Sequence, residues 1–290
     1  MRLRSLLFVP GDSPRKFAKG AASGADGLIF DLEDSVAPAQ KAEARNIVSG
    51  WLDNRDPAAS FSHWVRINPF ETGLALGDLA AVVRPGLDGI VLPKAGTAEV
   101  VQLGHCLDAL EARAGLAAGS VKILVVATET PAAVLNLSGY CAPHPRLVAL
   151  TWGAEDLSAA LGSMDNKHED GSWLPVFGLA RSLCLLAACA ADVAPLDTLY
   201  ADFRDSEGLA RNCRAARREG FTGRIAIHPD QIAVINAAFS PSAEEIAEAQ
   251  RVIAAFAAAP DAGTVGIDGR MYDIPHLKRA ERVLAGLAQG

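Results

Sequence analysis

Short, almost continuously apolar runs recur along the first 230 residues and alternate with longer Ala-, Leu- and Arg-rich stretches of helical period. The runs are SLLFVPG (5–11), GLIFDLED (27–34), WVRINP (64–69), GIVLPK (89–94), KILVVATET (122–130), LVALTWGAED (147–156), DTLYADF (197–203) and GRIAIHP (223–229). Runs without polar alternation predict parallel strands covered on both faces. Eight such strands separated by helical segments predict an α/β fold of the (β/α)8 barrel type. An open doubly wound sheet is the alternative, and the absence of GxGxxG after the first strand counts against it. Between the strands, residues 36–52 place Ala42, Ile47, Val48 and Leu52 at helical spacing, and residues 97–116 do so with Val100, Leu103, Leu107 and Leu110. Segment 208–219 turns basic before Gly220, a helix-stop pattern.

The chain runs on for about sixty residues after the eighth strand, predicting a barrel domain over 1–235 and a C-terminal helical extension over 236–290. Ser240-Pro241 reads as an N-cap and first helical residue, opening a helix whose Ile246, Val252, Ile253 and Phe256 share a face. Pro260 to Gly269 reads as a turn-rich stretch, followed by a last helix from about Pro275 to Leu287. Such an extension either caps the barrel or reaches a neighbouring subunit.

Composition narrows the function classes. The chain has 290 residues and a net charge of -7, which argues against nucleic acid as a partner. No apolar stretch approaches the roughly 18 residues of a membrane span, and the opening MRLRS leads straight into a strand rather than a signal peptide, so a cytoplasmic protein is expected. Five cysteines without paired spacing are expected to be reduced, buried thiols.

Polar residues at the C-terminal ends of barrel strands are the first candidates for chemistry. These ends carry Asp31, Glu33, Asp34, Arg66, Lys94, Glu129, Glu155, Asp156, Asp202 and His228. Glu129 and Asp156, on consecutive strands and with no His or Cys among them, suit an octahedral Mg2+ that keeps several waters. Alternatively, Asp156 caps a helix and Glu129 is a solvated acid. Arg66, inside an apolar strand, needs anionic partners, either the DLED carboxylates or a substrate carboxylate. Arg15 and Lys19, four apart on a starting helix, could grip phosphate or form an ordinary solvated face. Schiff-base chemistry at Lys94 is disfavoured because surrounding carboxylates keep the amine protonated.

The runs LLFVPG, GLIFDLEDSV, VRINP, VLPK, TETP, WGAEDL, GFTGRIAIHPDQI and DGRMYDIPH, in this order and across nearly the whole chain, resemble the citrate lyase β-subunit-like and malyl-CoA lyase family. The resemblance implies a TIM barrel, usually a homotrimer, that makes or breaks carbon–carbon bonds in acyl-CoA thioesters with Mg2+. By motif position it implies Glu129 and Asp156 as metal ligands and Arg66 as the contact to the metal-bound acid and the thioester carbonyl. It implies Phe8, Arg15, Lys19, Ile225 and Ala226 as contacts to the coenzyme A part of the substrate. Asp273 matches an acid/base delivered into an adjacent subunit's site. The implied substrate is a short 3-hydroxyacyl-CoA such as malyl-, methylmalyl- or citramalyl-CoA, giving an acyl-CoA and an α-keto acid, with thioester hydrolysis as a further outcome. A CoA-free pyruvate-type class II aldolase and a non-catalytic binding subunit are the alternatives. Tyr272 stands where an aliphatic residue is common in the family, and 163–173 (SMDNKHEDGSW) reads as a polar loop.

Overall fold

The computed structural model describes residues 1–286. By internal packing the chain divides into one unit of Leu3–Asn236 and a second of Ala237 onward together with Met1–Arg2.

The larger unit is a closed parallel barrel of eight strands in sequence order. The strands are β1 (Ser5–Pro10), β2 (Gly27–Asp31), β3 (Ser62–Arg66), β4 (Gly89–Leu92), β5 (Lys122–Val126), β6 (Leu147–Thr151), β7 (Ala194–Asp197) and β8 (Gly223–Ala226). Closure is made by β1 against β8, with Leu6 opposite Ile225. The helices are α1 (Pro14–Ala21), α2 (Lys41–Asp53), α3 (Ala75–Val82), α4 (Thr97–Ala114), α5 (Pro131–Leu135), α6 (Ala154–Leu161), α7 (Pro175–Ala190), α8 (Ser206–Glu219) and α9 (Ile232–Phe239). Every predicted run contains or borders a strand, but most runs extend past the strand into the following turn. The largest displacement is at β7, expected at 197–203 and found at Ala194–Asp197. Pro195 lacks a backbone donor and makes the true strand look like a turn, while Leu199 and Tyr200 beyond it have strand-like side chains.

The barrel interior is filled by residues that alternate along the strands: Leu6, Ile29, Trp64, Val91, Leu124, Val126, Ala149, Leu196 and Ile225. Trp64 is the bulkiest of them, and Gly89 on the neighbouring strand leaves it room, since a Cβ there would lie 2.2 Å from Cζ3 of the indole. Toward the helices the packing differs in detail from the reading of the sequence. In α2 the buried side is Ala44, Val48 and Leu52, whereas Ala42 is exposed. The helix begins at Lys41, five residues later than predicted.

Two buried ion networks lie away from the barrel mouth. Arg146, before β6, reaches Glu111 of α4 at 2.6 Å and also pairs with Asp108. Burial pushes the Glu111 carboxyl up, but the Arg146 guanidinium and two backbone N–H groups outweigh it and hold it at about 2. Asp197 is ringed by Arg181, Arg224 and the Trp152 indole N–H, the last at 2.7 Å. Of the five cysteines, Cys184 and Cys213 are buried as expected, but Cys141 and Cys189 are exposed and Cys106 is half-buried; all five are free thiols.

His63 gives the barrel a pH signature. It is 1% exposed on β3, stacked 5.7 Å from Phe30 and edge-on to Phe61. Burial, with help from the Arg55 charge, pushes its imidazole down to about 4. An unfolded histidine binds a proton below about 6.5, so between pH 6.5 and 4 the unfolded chain holds more protons and stability falls as pH falls. Urea melts at pH 7 and pH 5 are expected to differ by about 2 kcal/mol more in the native protein than in His63→Phe. Equal pH dependence in the two would reject this origin of acid sensitivity.

The second unit holds α10 (Ala243–Ala257), the antiparallel hairpin of β9 (Thr264–Ile267) and β10 (Arg270–Asp273), and α11 (Ile274–Ala285). Its core is Ala249, Val252, Phe256 and Ala280, with Ile253, Tyr272 and Leu277 packed against it. The helix cap is Ser242 rather than Ser240: its hydroxyl accepts from Glu245 N at 3.2 Å, and the Glu245 carboxylate accepts from Ser242 N at 2.8 Å. The turn-rich stretch Pro260 to Gly269 also contains β9, closed by Asp268-Gly269, both at positive φ. An Asp-Gly pair is the hairpin signal there. The final helix starts one residue earlier than expected, and its expected end at Leu287 lies outside the described residues. Among the described residues no helix is long and apolar enough to cross a membrane.

Candidate active site

Above the apolar interior the barrel turns polar at the C-terminal ends of its strands. Asp31 and Arg66 are directly opposite in the β2–β3 register. Arg66 donates through Nε and Nη2 to the two oxygens of Asp31, both at 2.7 Å, and its Nη1 lies 2.8 Å from Glu33 Oε2. The guanidinium also sits over the Phe8 ring at 4.6 Å. Of the two partners the sequence left open for Arg66, the DLED carboxylates are therefore the ones in contact. They do not use up its donors: two of the five guanidinium N–H groups make hydrogen bonds, both to Asp31, while Glu33 is held by charge alone and its Oε2 is buried without a hydrogen-bond partner. Burial works against the charge of both members, yet the bidentate pairing wins. Asp31 is held below the usual carboxylate range, and Arg66 above its ordinary value.

Lys94 follows β4 with φ of 49°, in the left-handed region. Its ammonium reaches Glu33 at 2.7 Å, Asp156 at 3.1 Å and Asp34 at 3.4 Å. Its backbone N–H donates to Glu129 Oε2 at 2.6 Å. Although desolvation lowers it, the hydrogen bond and charge of Glu33, with Asp156, hold this amine above its ordinary value. A lysine held in this way is protonated and a poor Schiff-base nucleophile.

Glu129 and Asp156 do not sit on strands. Glu129 lies in the turn after β5, just before Thr130, whose hydroxyl accepts from Ala133 N at 3.1 Å and caps α5. Asp156 lies in the first turn of α6, whose cap position is Gly153, so neither the strand placement nor the capping role read from the sequence holds. The two acids nonetheless meet at Lys94. Glu129 is 4% exposed; burial first, then the charges of Asp156 and Glu33, push its carboxyl up to about 8. Glu33 is likewise raised, by burial that Arg66 and Lys94 only partly offset. Gly153 is fitted to Glu129, since a Cβ there would stand 2.8 Å from Cγ of the acid.

This surplus of negative charge tests the fit of a divalent ion. Among the described residues no three His, Cys, Asp or Glu side chains converge as a complete cage. Two carboxylates and no nitrogen or sulfur donor are what Mg2+ uses when waters and substrate oxygens complete its octahedron. Positive charge beside Glu129 would favour the ionised form of an acid that burial and its neighbours push up to about 8. The residues fit.

The remaining candidates fall in different places. Arg15 and Lys19 are both exposed on α1, which follows directly from the end of β1. Ile225 and Ala226 are 4% and 0% exposed, with Ile225 in the barrel core, so their side chains present no ligand surface. Just past the end of β8, Ile227 is 36% exposed. Glu155 accepts from Asn166 at 2.9 Å, and His228 accepts from Asp230 N at 3.3 Å and stacks on Phe203, so both are structural. Asp202 accepts from Arg204 N at 3.0 Å, closing a turn. Asp273, in the second unit, caps α11: it accepts from His276 N at 3.4 Å and contacts the His276 ring nitrogen. Thr151 was missed; it ends β6 two residues beyond interior Ala149, and its hydroxyl is buried without a hydrogen-bond partner. Strand alternation alone would have found it. The loop expected at 163–173 carries a short antiparallel bridge between Lys167 and Trp173, with Trp173 edge-on to Trp152 at 4.8 Å.

Comparison with known proteins places this geometry. The profile of the HpcH/HpaI aldolase/citrate lyase family matches residues 4–229. A (3S)-malyl-CoA thioesterase of Cereibacter sphaeroides (strain KD131 / KCTC 12085) is 37% identical over 284 residues, covering 97% of this chain and 93% of its own. The citrate lyase β subunit of Leuconostoc mesenteroides subsp. cremoris is 34% identical, covering 97% and 92%. Among solved structures, the CitE protein of Mycobacterium tuberculosis in complex with magnesium, acetoacetate and coenzyme A matches with a TM-score of 0.78 and 37% identity, covering 98% of both chains.

Proposed function

The chain belongs to the HpcH/HpaI aldolase/citrate lyase family, and from that premise we propose that it is a Mg2+-dependent lyase of a short 3-hydroxyacyl-CoA thioester. Its products are an acyl-CoA and an α-keto acid, with malyl-, methylmalyl- or citramalyl-CoA as the substrate class. The observation that carries this reading is the acid-rich barrel mouth in which Glu129, Asp156, Lys94 and Arg66 meet. A soluble homotrimer in the cytoplasm is the expected working form, acting on small molecules rather than nucleic acid or membrane.

In this reading Glu129 and Asp156 hold the metal. When bound, Mg2+ supplies a Lewis acid for the hydroxyl and carboxylate oxygens of the substrate. Arg66 faces the thioester: the bidentate bonds to Asp31 fix its plane, Glu33 adds a second negative charge beside it, and its remaining N–H groups serve the oxygen that becomes negative as the carbon–carbon bond breaks. Phe8 packs beneath that guanidinium, and Arg15 and Lys19 contact the phosphates of coenzyme A. At the end of β8 the ligand meets backbone and the exposed Ile227 that follows the strand, rather than the buried Ile225 and Ala226 side chains. Asp273 of an adjacent subunit moves the proton, onto the α-carbon of the acyl-CoA enolate in cleavage and off the same carbon in condensation. Attack of water on the thioester carbonyl gives hydrolysis at the same site.

The test is to incubate the protein with Mg2+ and each of the three thioesters, following keto-acid and free-thiol release together. Keto acid alone from at least one substrate is the expected lyase result, and free thiol in addition means that hydrolysis follows. Neither product from any of them rejects the reading.

A further inference from the structure

We propose that Lys94 is a positioning residue that sets how tightly the divalent ion is held. The inference rests on the assignment of Glu129 and Asp156 as the ion's ligands, and it concerns a residue which that assignment leaves without a role. Lys94 touches both ligands, in two different ways. Its backbone N–H fixes one oxygen of Glu129 at 2.6 Å, and its ammonium shares Asp156 at 3.1 Å. Its backbone is turned into the left-handed region, at φ 49°. Glycine would adopt that conformation without strain, so what a lysine adds there is its side chain.

The charges decide the direction of the effect. Asp31, Glu33, Asp34, Glu129 and Asp156 gather around Arg66 and Lys94, so with every group ionised five acids face two fixed cations. Arg66 is committed to Asp31 and Glu33. Lys94 spends its three ammonium N–H groups on Glu33, Asp34 and Asp156, and so draws on a carboxylate that the ion also needs. An ammonium at that distance repels a divalent ion and competes for Asp156. It keeps the ion exchangeable, while the backbone N–H keeps Glu129 aimed.

Removing the ammonium and keeping the backbone should therefore tighten metal binding. Titration calorimetry with Mg2+ alone, at fixed pH and low ionic strength, is expected to give about tenfold tighter binding in Lys94→Met than in the native protein. Lys94→Arg, which keeps the charge, is expected to stay within about twofold of the native value. A residue that merely stabilised the fold would weaken binding when removed. Unchanged or weaker Mg2+ affinity in a folded Lys94→Met overturns the proposal. If that variant does not fold, Lys94→Gly, which takes the turn without strain, decides the question by the same measurement. Asp156→Asn is the control for the underlying assignment. Native-like Mg2+ binding in that variant sinks the metal site itself, whereas lost binding there without tightening at position 94 sinks only the role of Lys94.

Discussion

Asp156→Asn is expected to lose measurable Mg2+ binding and to lower kcat/KM for the hydroxyacyl-CoA substrate on the order of a thousandfold, while leaving the melting temperature nearly unchanged. The size follows from how little else supports the ion. Two protein carboxylates are available, and the other, Glu129, is held near a pKa of about 8, so at neutral pH it is largely protonated without a cation beside it. Removing the Asp156 charge also relieves Glu129 of the largest influence raising it after burial, so the variant has no electrostatic reason to unfold. Asp156 is partly exposed, with 31% of its side chain reaching solvent, and its neutral amide can still accept from Lys94. Full activity in this variant, with Mg2+ still bound, would show that the ion is held elsewhere.

The second large effect concerns Asp273. Alone, Asp273→Asn is expected to lose activity on the order of a thousandfold, the scale of a missing general acid/base, with Mg2+ affinity intact. If the acid reaches an adjacent subunit, mixing the two dead variants restores activity. A barrel from an Asp273→Asn chain then pairs with the intact tail of an Asp156→Asn chain. In randomly reassembled 1:1 rings such sites form at about one quarter of positions, so about a quarter of native activity is expected to return. Dead mixtures after verified subunit exchange would place the proton transfer within one chain or remove Asp273 from it. The cap holds the Asp273 carboxylate at the start of α11 and keeps it below the ordinary range, mainly through its side-chain hydrogen bond with His276.

The barrel was legible because eight buried strands write themselves as eight apolar runs, a signal that tolerates errors of several residues at each end. The ends were less legible. At β7 the ring of Pro195 disguised a strand as a turn, and the WGAED stretch hid a boundary, because the chain passes from strand through Trp152-Gly153 into α6 without a polar break. That boundary matters chemically, since it puts Asp156 on a helix. The acids were still found because both loops open on the same barrel end, which strand order dictates. What one dimension could not supply was the partner set. Arg66 pairing with Asp31 depends on β2–β3 register, and the meeting of Lys94 with both Glu129 and Asp156 joins three segments far apart in the chain, at a left-handed residue that no side-chain pattern announces. The burial of Ile225 has the same origin, because adjacent residues of a closed barrel point alternately into its core and toward its helices, and both directions are filled.

The distribution of indole rings has a practical corollary. Trp51, Trp64, Trp152 and Trp173, all four tryptophans of the chain, belong to the Leu3–Asn236 unit. Intrinsic emission excited at the red edge therefore originates within that unit alone. The smaller unit has no indole and a single tyrosine, Tyr272, packed beside the Ala249, Val252, Phe256 and Ala280 cluster, so its melting is read by calorimetry rather than by tryptophan emission.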